Sequence, residues 1–189
     1  MGKSTYHHGD LRATILAAAA EQIATEGVDA ISLRGLARRA EVSHAAPAHH
    51  FGDRAGLLTA LATEGFDLLA AELTGAGPDF REVAVAYVRF ALRHPGHFDV
   101  MYRSDLLHGD DPQLAAARTR SGAALRAGVA DLTPARPQQR RQAAQLAAWS
   151  LVHGFASLWR EGALRNSTLA TTDDPEALAR EMLAAVQLD

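Results

Sequence analysis

Apolar residues recur along the chain at three- and four-residue spacing, the period of helices buried on one side. Leu11, Ile15, Ala19 and Ile23, flanked by Leu16 and Ala20, predict a helix from about Asp10 to Glu26. Asp10 would cap it and Gly27 would end it in the left-handed conformation. Leu33, Leu36, Ala37 and Ala40 predict a second helix. Ser32 stands at its N-cap position, and Ile31 and Leu36 have the spacing of a hydrophobic staple. Glu41-Val42-Ser43 interrupts that stripe, and His44 to Phe51 carries almost no apolar bulk before Phe51. Pro47 is tolerated only near a helix start, so a third, short helix should begin near Ser43 or His44, with Ser43 as its cap. A fourth opens at Gly52-Asp53-Arg54, capped by Asp53, and runs to about Leu73 with Leu57, Leu58, Leu61, Leu68 and Leu69 apolar.

The breaks TGAGPD (74–79) and TPARP (133–137) divide the rest of the chain. Helices are expected over 80–94, 97–103, 111–131, 138–161 and 174–186, with Asp111-Pro112 and Asp174-Pro175 as caps followed by a proline at the first helical position. The helix over 138–161 is the longest, at about 36 Å. The total is about nine helices and the fold class is all-α.

A capped helix, a three-residue turn and a second short helix that does not bury itself form the pattern of a helix-turn-helix over about residues 32–51. The second helix of such a pair must stay exposed to enter a DNA groove. Composition neither excludes nor demands this. The 189 residues carry a net charge of −3 and no cysteine, so disulfide and thiol chemistry are absent. No apolar run approaches the roughly 20 residues of a membrane span. The N-terminus lacks the basic-then-apolar layout of a signal peptide, which makes the cytoplasm the expected location. Within residues 1–54, Lys3, Arg12, Arg34, Arg38, Arg39 and Arg54 balance Asp10, Glu21, Glu26, Asp29, Glu41 and Asp53. His7, His8, His44, His49 and His50 lie here too. Phosphate beside them would favour their charged forms, so part of the positive charge would appear only on binding.

The run ISLRGLARRAEVSHAAPAHHFGDRAGLL (31–58) resembles the DNA-binding region of the TetR family of transcriptional repressors. WSLVHG (149–154) resembles the Trp-x-x-x-His-Gly signature of one C-terminal subgroup of that family. The resemblance implies a helix-turn-helix domain over 1–56 and a ligand-binding and dimerisation domain over 57–189. It implies a ligand-responsive, sequence-specific regulator that acts without catalysis or a cofactor. Its partners would be a palindromic double-stranded DNA operator, a small-molecule effector and a second copy of the chain, with no membrane. The candidate DNA-contacting residues are Thr5, Tyr6, Ser32, Arg34, Ser43, His44, Ala45, Ala46, His49, His50 and Arg54. Thr5 and Tyr6 belong to a polar N-terminal arm, and Arg54 would add charge at the phosphate-binding start of the fourth helix. Family members carry an aromatic where this chain has Ala48, so that phosphate contact does not carry over. Phe51 is expected as a plug against the first helix.

Tyr87, Phe90, Phe98, Met101, Tyr102, Trp149, His153 and Trp159 would line an effector pocket if the fifth to eighth helices surround one. The eighth and ninth helices would form the dimer interface, where Ala143, Ala147, Ser150, Gly154 and Ser157 permit close approach. His94, His97, Asp99, Asp105, His108, Asp110 and Asp111 are metal-competent, yet Pro95-Gly96 breaks any shared helix and solvated loop residues are the better reading; no metal site is assigned. Neither a Gly-x-Ser-x-Gly elbow nor a glycine-rich phosphate loop is present. The alternative is a helical metal-binding or enzyme-like bundle on a repurposed scaffold of the same kind.

Overall fold

The computed structural model describes residues 8–129 and 137–185, the backbone alone at 8–10 and 129. The expected contacts of Lys3, Thr5, Tyr6 and His7, most of the 133–137 break and the apolar role of Val186 lie outside the described residues. Among those described there are nine α-helices and no strand: α1 His8–Glu26, α2 Leu33–Arg39, α3 Ala46–Phe51, α4 Arg54–Gly75, α5 Phe80–Arg93, α6 Pro95–Met101, α7 Pro112–Val129, α8 Gln138–Arg160 and α9 Pro175–Ala185. Single 3-10 turns stand at Val28–Ala30 and Ser104–Leu106.

The chain forms two compact units. The first holds residues up to Gly65 together with His94–Ala116, and the second holds Phe66–Arg93 and the chain from Ala117 onward. The helices α4 and α7 therefore each carry the chain from one unit into the other.

In the first unit Ile15, Leu16, Ala19 and Ile23 of α1 are buried, as their spacing requires, with Ile31, Leu36, Ala37, Leu57, Leu58 and Leu61 around them. Helix α1 packs on α2, α3 and α6. Helix α6 starts two residues before its expected position because Pro95 occupies its first turn, where the missing N–H has no partner to lose. Gly96 then sits on α1 so closely that a Cβ would overlap the carbonyl oxygen of Ala20. Two further starts differ. Helix α1 begins at His8, so Asp10 lies inside it rather than capping it. Helix α3 begins at Ala46, and Ser43 contributes only its carbonyl, which accepts from Ala46 N at 3.0 Å. Gly27 has φ 84 but ψ 163, an extended conformation available only to glycine and distinct from the left-handed one expected.

In the second unit α5 is buried from Val83 to Val88 and again at Phe90 and Ala91. Helices α8 and α9 pack on it. Val88, Phe155, Trp159, Leu178 and Ala179 form one apolar cluster there. Arg89 of α5 donates from Nε and Nη2 to the two carboxylate oxygens of Glu176 of α9, at 2.9 and 2.7 Å. The caps expected of Asp111 and Asp174 are made: the Asp111 carboxylate accepts from Gln113 and Leu114, that of Asp174 from Glu176 and Ala177. Among the described residues no helix is long and apolar enough to cross a membrane.

Candidate nucleic-acid interface

The turn between α2 and α3 is built from the backbone. Ser32 caps α2, its hydroxyl accepting from Gly35 N at 3.1 Å. Glu41 N donates to Arg38 O at 3.3 Å and Val42 N to Ala37 O at 3.0 Å. These are the paired bonds of a Schellman ending, and Glu41, at φ 55, holds the left-handed position usually given to glycine. Gly52 at φ 76 turns the chain out of α3. Asp53 then caps α4, accepting from Gly56 N at 2.7 Å. That bond, and a weaker one from His108, hold the Asp53 carboxyl below its ordinary range.

Helix α3 divides its residues cleanly. Ala46 and Pro47 are buried, and His50 and Phe51 are half-buried. The Arg12 guanidinium of α1 lies 5.4 Å from the Phe51 ring centroid, so Phe51 meets α1 through this contact while staying half-buried. Ser43, His44, Ala45, Ala48 and His49 are exposed. Ala46, expected at the DNA, is thus corrected to a core residue. It is 8% exposed because it opens the helix on the side facing α1 and α2. Ala48, set aside for lacking an aromatic ring, stands on the exposed face. Only the actual register of α3 reveals that, and a start at Ser43 or His44 hides it.

The cations of α2 and the start of α4 are unequal. Arg39 pairs with Glu26 at 2.6 Å. The Glu26 carboxyl is held below its usual range, first by a hydrogen bond from Gln22 and then by Arg39. Arg54, expected at a phosphate, donates from Nε to Ile31 O at 3.1 Å and from Nη2 to Val28 O at 2.8 Å. It ties the α1–α2 connection to the start of α4, leaving only its Nη1 edge for a phosphate. Arg34 and Arg38, one turn apart on α2, are exposed and make no ion pair among the described residues.

The residues expected at an effector do not form one group. Phe98, Met101 and Tyr102 belong to the first unit, where the Phe98 and Tyr102 rings meet edge-on at 6.0 Å. Trp159 stacks on Phe155 in the apolar cluster, and Phe90 is fully buried. Tyr87, Trp149 and His153 do converge within the second unit. Trp149 Nε1 donates to Tyr87 Oη at 3.3 Å, and Tyr87 Oη and His153 Nδ1 share a hydrogen bond of 2.9 Å. Burial lowers the His153 pKa and favours the neutral imidazole. An open cleft of about 410 Å³ also lies in this unit, lined by Leu68, Ala71, Glu72, Gly75, Ala76 and Arg89. None of the eight aromatic, methionine and histidine candidates lines it.

The metal-competent residues of 94–111 disperse into other work. His97 donates to Glu64 at 3.3 Å, Arg103 donates from Nε and Nη2 to the two carboxylate oxygens of Asp105, and His108 donates to Asp53 at 3.1 Å. Among the described residues no three such side chains are grouped to hold an ion.

An all-α chain with a helix-turn-helix in one compact unit and a separate, larger helical unit belongs to the class of DNA-binding regulators. Residues 15–61 match the bacterial regulatory proteins of the tetR family. Residues 80–186 match the tetracyclin repressor-like C-terminal domain. The chain belongs to the TetR family of transcriptional regulators. Among solved structures it is similar to a protein of unknown function from Rhodococcus sp. RHA1, at 34% identity and TM-score 0.76, over 95% of each chain. It shares its fold with the TetR family regulator PfmR from Thermus thermophilus, at 23% identity and TM-score 0.65, over 89% of this chain and 93% of that one. It shares it also with NalD, the secondary repressor of the MexAB-OprM multidrug efflux pump in Pseudomonas aeruginosa, at 21% identity and TM-score 0.57, over 93% of each. No curated protein matches the chain.

This geometry has two measurable consequences. Arg54→Ala takes the guanidinium donor from the Ile31 carbonyl and leaves Val28 O with only the 3.3 Å bond from Ile31 N, which costs about 1–3 kcal/mol. Thermal unfolding should show a lower Tm that Arg54→Lys does not fully restore, since lysine lacks the planar pair of separate donor atoms that meets the two carbonyls; an unchanged Tm in the alanine variant would contradict the strut. For His153, the unfolded chain takes up a proton near the ordinary pKa of about 6.5 while the folded chain resists it. Stability is therefore full above that pH and falls as pH drops through it toward the lower folded value. Urea midpoints measured from pH 8 to 5 should decline more for the natural protein than for His153→Gln, and parallel curves would rule the effect out.

Proposed function

We propose that the protein is a homodimeric repressor that binds a palindromic operator and releases it when a small molecule occupies the second unit. The observation that carries this reading is the bare face of α3, in a unit whose preceding helix carries the exposed Arg34 and Arg38. In a chain of this family such a face serves a DNA groove. In this reading Ser43, His44, Ala45, Ala48 and His49 face base edges while Arg34 and Arg38 neutralise phosphates. Thr5 and Tyr6 would reach the backbone from the arm. Ser32 and Arg54 act mainly by holding the helices in place.

Effector recognition is assigned to the second unit, with the Trp149–Tyr87–His153 chain as its polar anchor within apolar surroundings. Helices α4 and α7 run from that unit into the first unit and supply the mechanical link. Operator and effector then oppose each other by a coupling free energy of about 1–3 kcal/mol, typical of allosteric systems. The repressive sign is carried over from NalD, described as a repressor.

The dimer is assigned to the outer face of α8. Leu146 is 59% and Leu158 45% exposed there, and a Cβ added at Gly154 would meet open space. A glycine inside a helix costs about 0.5–1 kcal/mol relative to alanine. This chain's own packing does not require one at 154, whereas a second helix crossing there would.

Selection of bound DNA from a random pool tests the whole reading. The enriched site should be an inverted repeat whose half-sites lie one or more helical turns of about 34–36 Å apart. In gel shifts across a salt series, Arg34→Ala and Arg38→Ala should each reduce the salt slope by about one, uniformly over sequences. Failure to enrich any site at low salt would overturn it. Light scattering at micromolar concentration should give two chains for the natural protein and one for Gly154→Arg; a natural monomer would remove the two-fold operator.

A further inference from the structure

The exposed face of α3 is unusual in what it lacks. Between Val42 and Phe51 there is no lysine, arginine, asparagine, glutamine, aspartate or glutamate. The side chains that read guanine, adenine and cytosine by paired hydrogen bonds are therefore absent from this helix. What the face does carry is the methyl groups of Ala45 and Ala48 and the imidazoles of His44 and His49, with the Ser43 hydroxyl ahead of them, all exposed; a serine hydroxyl bonds any base and discriminates little. Ala46 and Pro47 are turned into the core and cannot contribute. Ala45, Ala48 and His49 stand at i, i+3 and i+4, so they occupy one stripe along the helix.

In the major groove only thymine presents a methyl group, at C5, and an alanine methyl is one of its apolar partners. Guanine presents two acceptors side by side, O6 and N7, which suit a ring N–H donor. Adenine offers one acceptor beside a donor. Alanines also leave the helix thin, so its backbone can lie deep enough for so short a side chain to touch a base.

We propose that this helix reads its half-site chiefly through thymine methyl groups, held against Ala45 and Ala48, with His44 and His49 donating to the acceptor edge of a guanine. This rests on the DNA-binding reading above and deepens it by naming the base chemistry recognised. Specificity on this helix is then mainly steric and apolar, and Arg34 and Arg38 supply affinity without discrimination.

The test uses the full-length protein and the site selected from the random pool. Each thymine is replaced singly by deoxyuridine, which removes only the C5 methyl, and each guanine by 7-deazaguanine, which removes the N7 acceptor. Loss of one buried methyl contact corresponds to about a three- to five-fold weakening. One or two thymines in each half-site should show it, and at one of them Ala48→Gly should bind thymine and uracil alike. At least one guanine should be sensitive to 7-deazaguanine in the natural protein and insensitive in His44→Ala or His49→Ala. Uracil tolerated at every position would overturn the proposal while leaving DNA binding intact. So would an Ala48→Gly and an Ala45→Gly variant that both still distinguish thymine from uracil at every sensitive position. A pool that yields no site at all is a different result, and it removes the DNA-binding reading itself.

Discussion

A short helix that must keep one face bare cannot secure its own place, and the first unit is arranged around that constraint. Helix α2 has seven residues and α3 has six, well below the roughly 12–15 at which an isolated helix becomes even marginally stable in water. Their positions are imposed from outside. Helix α1 gives them an apolar floor, Ser32 and Asp53 cap the helices on either side, and Arg54 holds the carbonyls of Val28 and Ile31. Helix α6 is seated on α1 by Gly96, at a distance no larger residue permits. The side chains left exposed on α3 are thereby free of structural duty, which is the condition for reading DNA.

The second unit meets the opposite demand. Helix α5 is surrounded, so its polar atoms need partners inside the protein. Tyr87 obtains them from Trp149 and His153 on successive turns of α8. At the margin, Arg89 and Glu176 join α5 to α9 as a bidentate pair. That pair is partly exposed, so screening limits its strength and it serves more to set orientation than to add stability. Within this chain of hydrogen bonds, changing one bond alters the others.

Much of this was legible in the residues themselves. Spacing at Leu11, Ile15, Ala19 and Ile23 predicted α1, and the sequences around Ser32, Asp53, Asp111 and Asp174 marked real caps. Capping is a local matter, decided by a side chain and the three or four backbone groups after it. The placement of Ala46 was not legible. An alanine is small enough for either face, and a two-residue change in the helix start decides which one it takes. Arg54 misled for a related reason. Its charge suggests a phosphate, but its reach of 23 and 26 residues back to two carbonyls is a property of the folded chain.

The sequence by itself determined the helices, their order, most of their caps and the helix-turn-helix, because each depends on side-chain periodicity or on backbone groups within a turn of one another. Only the tertiary structure decided which cations stay uncommitted, which alanines face outward, that α6 joins the first unit, and that Tyr87 meets Trp149 and His153 while Phe98, Met101 and Tyr102 lie elsewhere. Those outcomes depend on pairings across tens of residues. Periodicity says that a residue is buried, but not which neighbour buries it.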